Sequence, residues 1–204
     1  DSHKELPVVD AGLQRLRDTE FPPFQQAIRY GVASLMTAHV LYRALDPEAP
    51  ATLSSAVIQR LLREEFRYEG VVFTDDLEMH AIIDHDGIGE AAVRSFVAGC
   101  DVLLICKDQD RVMTAMQAME RAVKDGRITQ ERLDQSLARV AKLKARYLHP
   151  YKPVTISDAR LVVGCRSHKV LLDSWHKAYA RIPKPTLVER GQAAPPHDSP
   201  VTHV

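Results

Sequence analysis

The sequence predicts an α/β fold built on a parallel sheet that is covered on both faces. Three observations predict it. The runs Val32 to Thr37, Val71 to Thr74 and Asp101 to Cys106 are almost continuously apolar, where a strand with one wet face would alternate. Each run is followed by an amphipathic stretch with helical spacing. The runs begin roughly 30 to 40 residues apart, the room that a crossover helix between parallel strands requires.

The elements follow in order. Pro22-Pro23 open a short helix over Phe24 to Tyr30, with proline near the first turn, where its missing N–H does no harm. Val32 to Thr37 is the first buried strand. Leu41 to Ala51 carries Asp46, Pro47 and Pro50 and is expected to be a loop. Ser54 caps a helix over Ser55 to Phe66, whose Val57, Leu61, Leu62 and Phe66 share one face. Gly70 ends it, and Val71 to Thr74 is the second strand. Asp86-Gly87-Ile88-Gly89 breaks the chain before a helix over Glu90 to Ala98, closed by Gly99. Asp101 to Cys106 is the third strand. Helices over Asp110 to Lys124 and Gln130 to Tyr147 flank Gly126. Past Pro150 the pattern weakens: Leu161-Val162-Val163 is a possible strand and Ser167 to Ala180 a helix. From Pro183 onward Pro, His, Ser and Thr dominate and no apolar period survives, so that tail is expected to be disordered. The division that results is a main body over 1–148, an extension over 149–181 and a tail over 182–204.

Composition narrows the function classes. Lys plus Arg number 27 and Asp plus Glu number 27, for a formal charge of zero; wholesale nucleic-acid binding normally needs a basic excess. No apolar run approaches the ~20 residues that span a bilayer, so no membrane partner is expected. Cys100, Cys106 and Cys165 are too few to form a disulfide framework, and a reducing compartment is the simpler reading. The chain opens Asp1-Ser2-His3 with neither an initiator Met nor a signal peptide, and is therefore read as a piece of something longer.

The sharpest chemical signal is Phe73-Thr74-Asp75-Asp76-Leu77. Two acids stand where an apolar strand ends, and parallel α/β folds bind ligands at the carboxyl ends of their strands. A carboxylate there can be a nucleophile, a general base or a metal ligand. Neighbouring side chains diverge in extended backbone, so one acid is expected in the site and the other holding the loop. In Asp1-Ser2-His3 the acid and the imidazole share a side of the chain, so Asp1 can orient His3 for acid–base work; a frayed terminus is the bland alternative. Met36-Thr37-Ala38-His39 also closes a strand, which makes Met36 and His39 candidates for lining a pocket; a satisfied histidine just above the core is the alternative for His39. His80, Asp84, His85 and Asp86 have no spacing typical of a metal site and are read as a mobile loop, so neither a metal nor another cofactor is expected. Cys106 ends a strand, a nucleophile-like position, but reads as a buried small hydrophobe. Met113, Met116 and Met119 read as a core stripe, and Lys142, Lys144 and Arg146 as a solvated helix face.

Taken together, DSH-x(2)-LP at the start, MTAHV at 36–40, EGVVFTDDLEM at 69–79 and AGCDVLLIC at 98–106 resemble glycoside hydrolase family 3, and within it the bacterial β-N-acetylhexosaminidases of peptidoglycan recycling. The similarity runs in order to about residue 148 and more loosely to about 181. It implies that this chain is the C-terminal part of a (β/α)8 TIM barrel, about three βα units. It implies Asp75 as the nucleophile of a covalent glycosyl-enzyme, His3 as the general acid/base and Asp1 as its helper, in the two-step scheme of retaining enzymes. The implied substrate is a small sugar carrying terminal N-acetylglucosamine, and the implied location cytoplasmic. Thr74 replaces a common Ser, and Arg67 stands where Gly is usual. The family's Lys-His pair and further sugar-contacting residues precede the DSH element, so the remaining part of the barrel is the expected partner, and the chain alone is expected to turn over little substrate. From the residues alone a second reading stays open: a doubly wound binding or regulatory module whose Asp75 and Asp76 hold Mg²⁺ or accept phosphate.

Overall fold

The computed structural model describes residues 5–180. They divide into two compact units, one ending at Tyr151 and one starting at Lys152. In the first unit, β1 (Val8–Val9) is followed by a continuous helical run: α1 (Leu13–Arg15), a π-wound stretch Leu16–Glu20, and α2 (Phe21–Arg29). The helix therefore begins well before Phe24. Pro22 and Pro23 stand in the first turn of α2, as expected, directly after a widened turn in which the Phe21 amide donates to Leu16 O.

Next come β2 (Ser34–Met36), β3 (Leu41–Tyr42), a 3-10 turn Ala51–Leu53 and a π-wound helix Ala56–Glu65. The segment expected to be loop thus holds a strand: Val8 and Val9 pair in parallel with Leu41 and Tyr42. Two residues per strand leave no run for a sequence pattern to reveal. The expected cap at Ser54 is made, its hydroxyl accepting from the Val57 amide at 3.2 Å.

β4 (Val71–Asp76) is the central strand of a parallel three-stranded sheet ordered β2-β4-β5, with β5 at Val102–Leu104. Val71, Val72 and Thr74 are all but fully buried, as a central parallel strand requires. On the other side of Leu77 runs α3 (His80–Ala98), whose backbone departs from helical geometry at Gly87, φ 68°. The break expected at Asp86–Gly89 is a kink at that glycine, and the segment His80–Asp86 expected to be loop is helical. The helix ends at Gly99, φ 126°, where an added Cβ would lie 2.7 Å from Ile58 Cγ2; no other residue fits this close approach.

α4 (Gln109–Lys124) and α5 (Gln130–Leu148) complete the unit. Leu77, Ile82, Ala91, Ala92 and Ala115 form one apolar cluster between α3 and α4; Ile58, Tyr68, Val72, Ala98 and Cys100 form another under the sheet. Each fully buried aliphatic side chain contributes about 1.5–3 kcal/mol. The methionine stripe is only partly core. Met119 packs against the first of these clusters, whereas Met113 and Met116 are half exposed: residues three apart are offset by about 60° round a helix, so the stripe winds off the buried face.

The second unit holds α6 (Ile156–Val162) and α7 (Arg166–Tyr179). The strand expected at Leu161–Val163 is not formed. Thr155 accepts from the Asp158 amide at 3.1 Å, while its own amide donates to Asp158 at 3.3 Å. That reciprocal cap starts a helix, which carries Leu161 and Val162 and ends before Val163. The helix expected over Ser167–Ala180 is present as α7. The tail from 182 lies outside the described residues.

Candidate active site

The carboxyl end of β4 carries the candidate chemistry. Phe73 pairs with Val102 and Asp76 with Leu104, so three steps on β4 face two on β5. The extra residue is a bulge, and a bulge re-aims the side chains around it. Thr74 bridges the irregularity: its Oγ1 accepts from the Leu104 amide at 2.9 Å. Beyond it the Leu77 amide returns to Leu104 O at 2.9 Å.

Asp75 stands on this bulge, half buried. One carboxylate oxygen accepts from the Asp76 amide at 2.8 Å; among the described residues the other takes no hydrogen bond and is the one open to a reacting atom. Asp76 serves the loop instead. Its Oδ1 accepts from the Glu78 amide at 3.1 Å and from the Cys106 amide at 3.3 Å. As expected, one of the two acids holds the loop, and it is Asp76.

His39 is fully buried: it is the satisfied histidine of the two readings and not the pocket-lining one. Its Nε2 lies 2.9 Å from Asp76 O and its Nδ1 lies 2.8 Å from Thr52 Oγ1. A carbonyl only accepts, so Nε2 carries the hydrogen. Burial, the largest influence, lowers the imidazole pKa, opposed by the bond to Asp76 O and the nearby Asp75 and Asp76 charges. The neutral ring therefore accepts at Nδ1 from the Thr52 hydroxyl. Thr52 Oγ1 in turn accepts from Thr37 Oγ1 at 2.8 Å. His39 thus fixes the backbone under the strand end. Met36 is more than half exposed at the end of β2, where it pairs in register with Phe73. Asp1 and His3 lie outside the described residues.

Glu78 was missed from sequence, although it sits within the quoted motif. Its side chain is 6% exposed. It accepts from the Lys107 amide at 2.6 Å, the Asp108 amide at 3.2 Å and Arg111 Nη1 at 3.3 Å. It therefore clasps the loop after β5 to the loop after β4, beside Asp75. Cys106, on the clasped loop past the end of β5, is exposed and not buried as expected; its thiol pKa is raised by desolvation and then by the Asp76 carboxylate, and a protonated thiol is a poor nucleophile.

The candidate metal residues disperse. His80 pairs with Asp84 at 3.0 Å and Asp86 with Arg94. Among the described residues no three His, Cys, Asp or Glu side chains converge as a metal site would need, and no helix is long and apolar enough to cross a membrane.

Asp101 marks the opposite end of the sheet, just before β5. Its side chain is fully buried and meets Arg63 Nη2 at 2.7 Å, Arg139 Nη1 at 3.1 Å and Arg132 Nη2 at 3.6 Å. Ser136 Oγ donates to it at 2.6 Å and the Val72 amide at 3.0 Å. These contacts lock α5 and the π-wound helix to the strands' amino ends, the stability face of such folds.

Comparison with known proteins gives this arrangement a context. The family profile described as the glycosyl hydrolase family 3 N terminal domain matches residues 1–143. β-Hexosaminidase A of Pseudoalteromonas piscicida is 32% identical over 189 residues, covering 84% of this chain and 31% of that protein. A β-hexosaminidase of Nitrosomonas eutropha is 34% identical over 146 residues, 70% of this chain and 42% of that one. Among solved structures, a glycoside hydrolase family 3 β-N-acetylglucosaminidase from Paenibacillus is 46% identical, with a TM-score of 0.74 over 76% of this chain and 30% of that chain. The chain thus spans less than half the length of the relatives it matches, and its parallel strands with their helices are part of a TIM-barrel-like α/β fold.

Proposed function

Because the chain belongs to glycosyl hydrolase family 3, we propose that it is the nucleophile-bearing part of a retaining β-N-acetylhexosaminidase. The observation that carries the reading is Asp75. It sits on a bulge at the carboxyl end of the central strand, with one oxygen held by the Asp76 amide and the other open. A nucleophile needs this: a fixed carboxylate with an unengaged lone pair. The printed names of the relatives support the sugar class.

In the proposed reaction Asp75 attacks C1 of a terminal N-acetylglucosamine while His3, steadied by Asp1, protonates the leaving oxygen. His3 then takes a proton from water, which attacks C1 and frees Asp75. The substrates are fragments of the muropeptide or chitin type. No cofactor takes part, and water is the acceptor in place of phosphate. The partner required is a segment carrying the remaining strands of the barrel, since an eight-stranded barrel closes and three strands do not. The chain alone is weakly active at most. Cytoplasmic work belongs to the same proposal; the three cysteines are unpaired. The doubly wound alternative, with Mg²⁺ or phosphate on Asp75 and Asp76, falls away with the family match.

The test is a chimera in which residues 1–148 replace the matching segment of the Paenibacillus relative. It should release p-nitrophenol from p-nitrophenyl β-N-acetylglucosaminide and yield free sugar even with phosphate present. Asp75→Ala should abolish turnover. Near-normal rates in Asp75→Ala would overturn the assignment; sugar phosphate as product would overturn the choice of water.

A further inference from the structure

At the amino ends of β2 and β4, opposite Asp75, the first unit contains a cavity of about 270 Å³. Its charged lining is Arg67, Arg139, Lys142 and Arg146 against one carboxylate, Glu69. Arg139, Lys142 and Arg146 recur at helical spacing on α5; Lys142, Lys144 and Arg146 are exposed, as expected, and Lys142 and Arg146 also line this cavity while Lys144, between them, does not. We propose that this cavity binds the phosphate group of a small phosphorylated molecule.

Three observations carry the proposal. The first is charge. Behind the cavity one buried carboxylate, Asp101, faces three guanidiniums, those of Arg63, Arg132 and Arg139. One negative charge cannot neutralise three positive ones, and positive charge without a counterion is costly away from water. Glu69 does little to correct this. Its 3.5 Å contact with Lys142 joins two largely exposed side chains, and such pairs contribute little.

The second is an unmet donor. The Arg63 side chain is 8% exposed, and its Nε is buried without a hydrogen-bond partner among the described residues. Arg63 lines the adjoining recess together with Arg139 and Lys142, two residues of the cavity wall.

The third is backbone strain. Arg67 holds φ 56°, a left-handed conformation that side chains other than glycine rarely take. Retaining an arginine where glycine would be relaxed, at the mouth of a basic cavity, fits a functional demand on its side chain. Guanidinium forks match phosphate oxygens in pairs. A doubly charged group is the natural complement to several cations in one recess, and Ile28, Val32 and Leu143 supply an apolar wall for an organic remainder.

Pyrophosphate is the probe, titrated into the full 204-residue chain at constant ionic strength and followed by calorimetry and thermal shift. Saturable binding with a raised Tm is expected. Arg67→Gly and Lys142→Ala should each weaken it about tenfold, the effect of losing one charge-assisted hydrogen bond. Lys144→Ala should leave it unchanged. Arg67→Gly relieves the strained backbone, so its loss of binding cannot be put down to unfolding, and its own Tm checks this. Absence of saturable binding would overturn the proposal, as would equal losses in all three variants. Citrate binding as tightly as pyrophosphate would overturn the choice of phosphate. None of these outcomes bears on Asp75, which lies at the other end of the strands.

Discussion

His39 and Asp76 are joined across 37 residues of sequence: the imidazole Nε2 donates to the Asp76 carbonyl oxygen at 2.9 Å. The bond runs from a fully buried ring to the backbone one residue past the candidate nucleophile. It couples the end of β2 to the end of β4, and Thr52 and Thr37 complete the chain of donors behind it.

Stability should therefore depend on the charge of His39. Burial holds its folded pKa below the ordinary 6.5. Below about pH 6.5 the unfolded chain takes up a proton that the folded one resists, so stability present above that pH is lost as pH falls toward the folded pKa. Urea denaturation across this window should show the decline, and His39→Gln should flatten it. An unchanged slope in His39→Gln would assign the pH dependence elsewhere.

Asp101→Ala should be among the most damaging single changes. It leaves three guanidiniums facing one another without their shared carboxylate. Losing one partner of a buried ionic group costs about 3–5 kcal/mol. Chemical denaturation checks this; a loss within the range of an ordinary surface substitution would mean that the arginines repartner with water.

Glu78→Ala should loosen one loop more than it lowers global stability. Its carboxylate holds the Lys107 and Asp108 amides, and hydrogen bonds to charged groups contribute about 1.5–3 kcal/mol each. Faster hydrogen exchange is expected at those two amides, with α4 little changed. Protection unaltered at Lys107 and Asp108 would show that the clasp is dispensable.

The sheet was legible because β2, β4 and β5 all carry apolar runs, although only the central strand β4 has fully buried residues. The division of labour between Asp75 and Asp76 followed from the geometry of extended chain. The bulge beneath them did not, because it exists only in the register between β4 and β5. Sequence left His39 open between pocket and core for a similar reason: Thr52 and the Asp76 carbonyl reach it from other elements. Glu78 left no periodic trace, since what it binds is backbone 29 residues on. The capping pair Thr155 and Asp158 was readable and outranks the apolar run Leu161–Val163 that suggested a strand.

Covalent trapping tests the central claim most directly. The chimera carrying residues 1–148 is incubated with a 2-deoxy-2-fluoro glycoside bearing an activated leaving group, digested, and its labelled peptide sequenced by mass spectrometry. The adduct should sit on the Asp75 carboxylate. Label on Asp76, on Glu78 or on any other side chain would contradict the account.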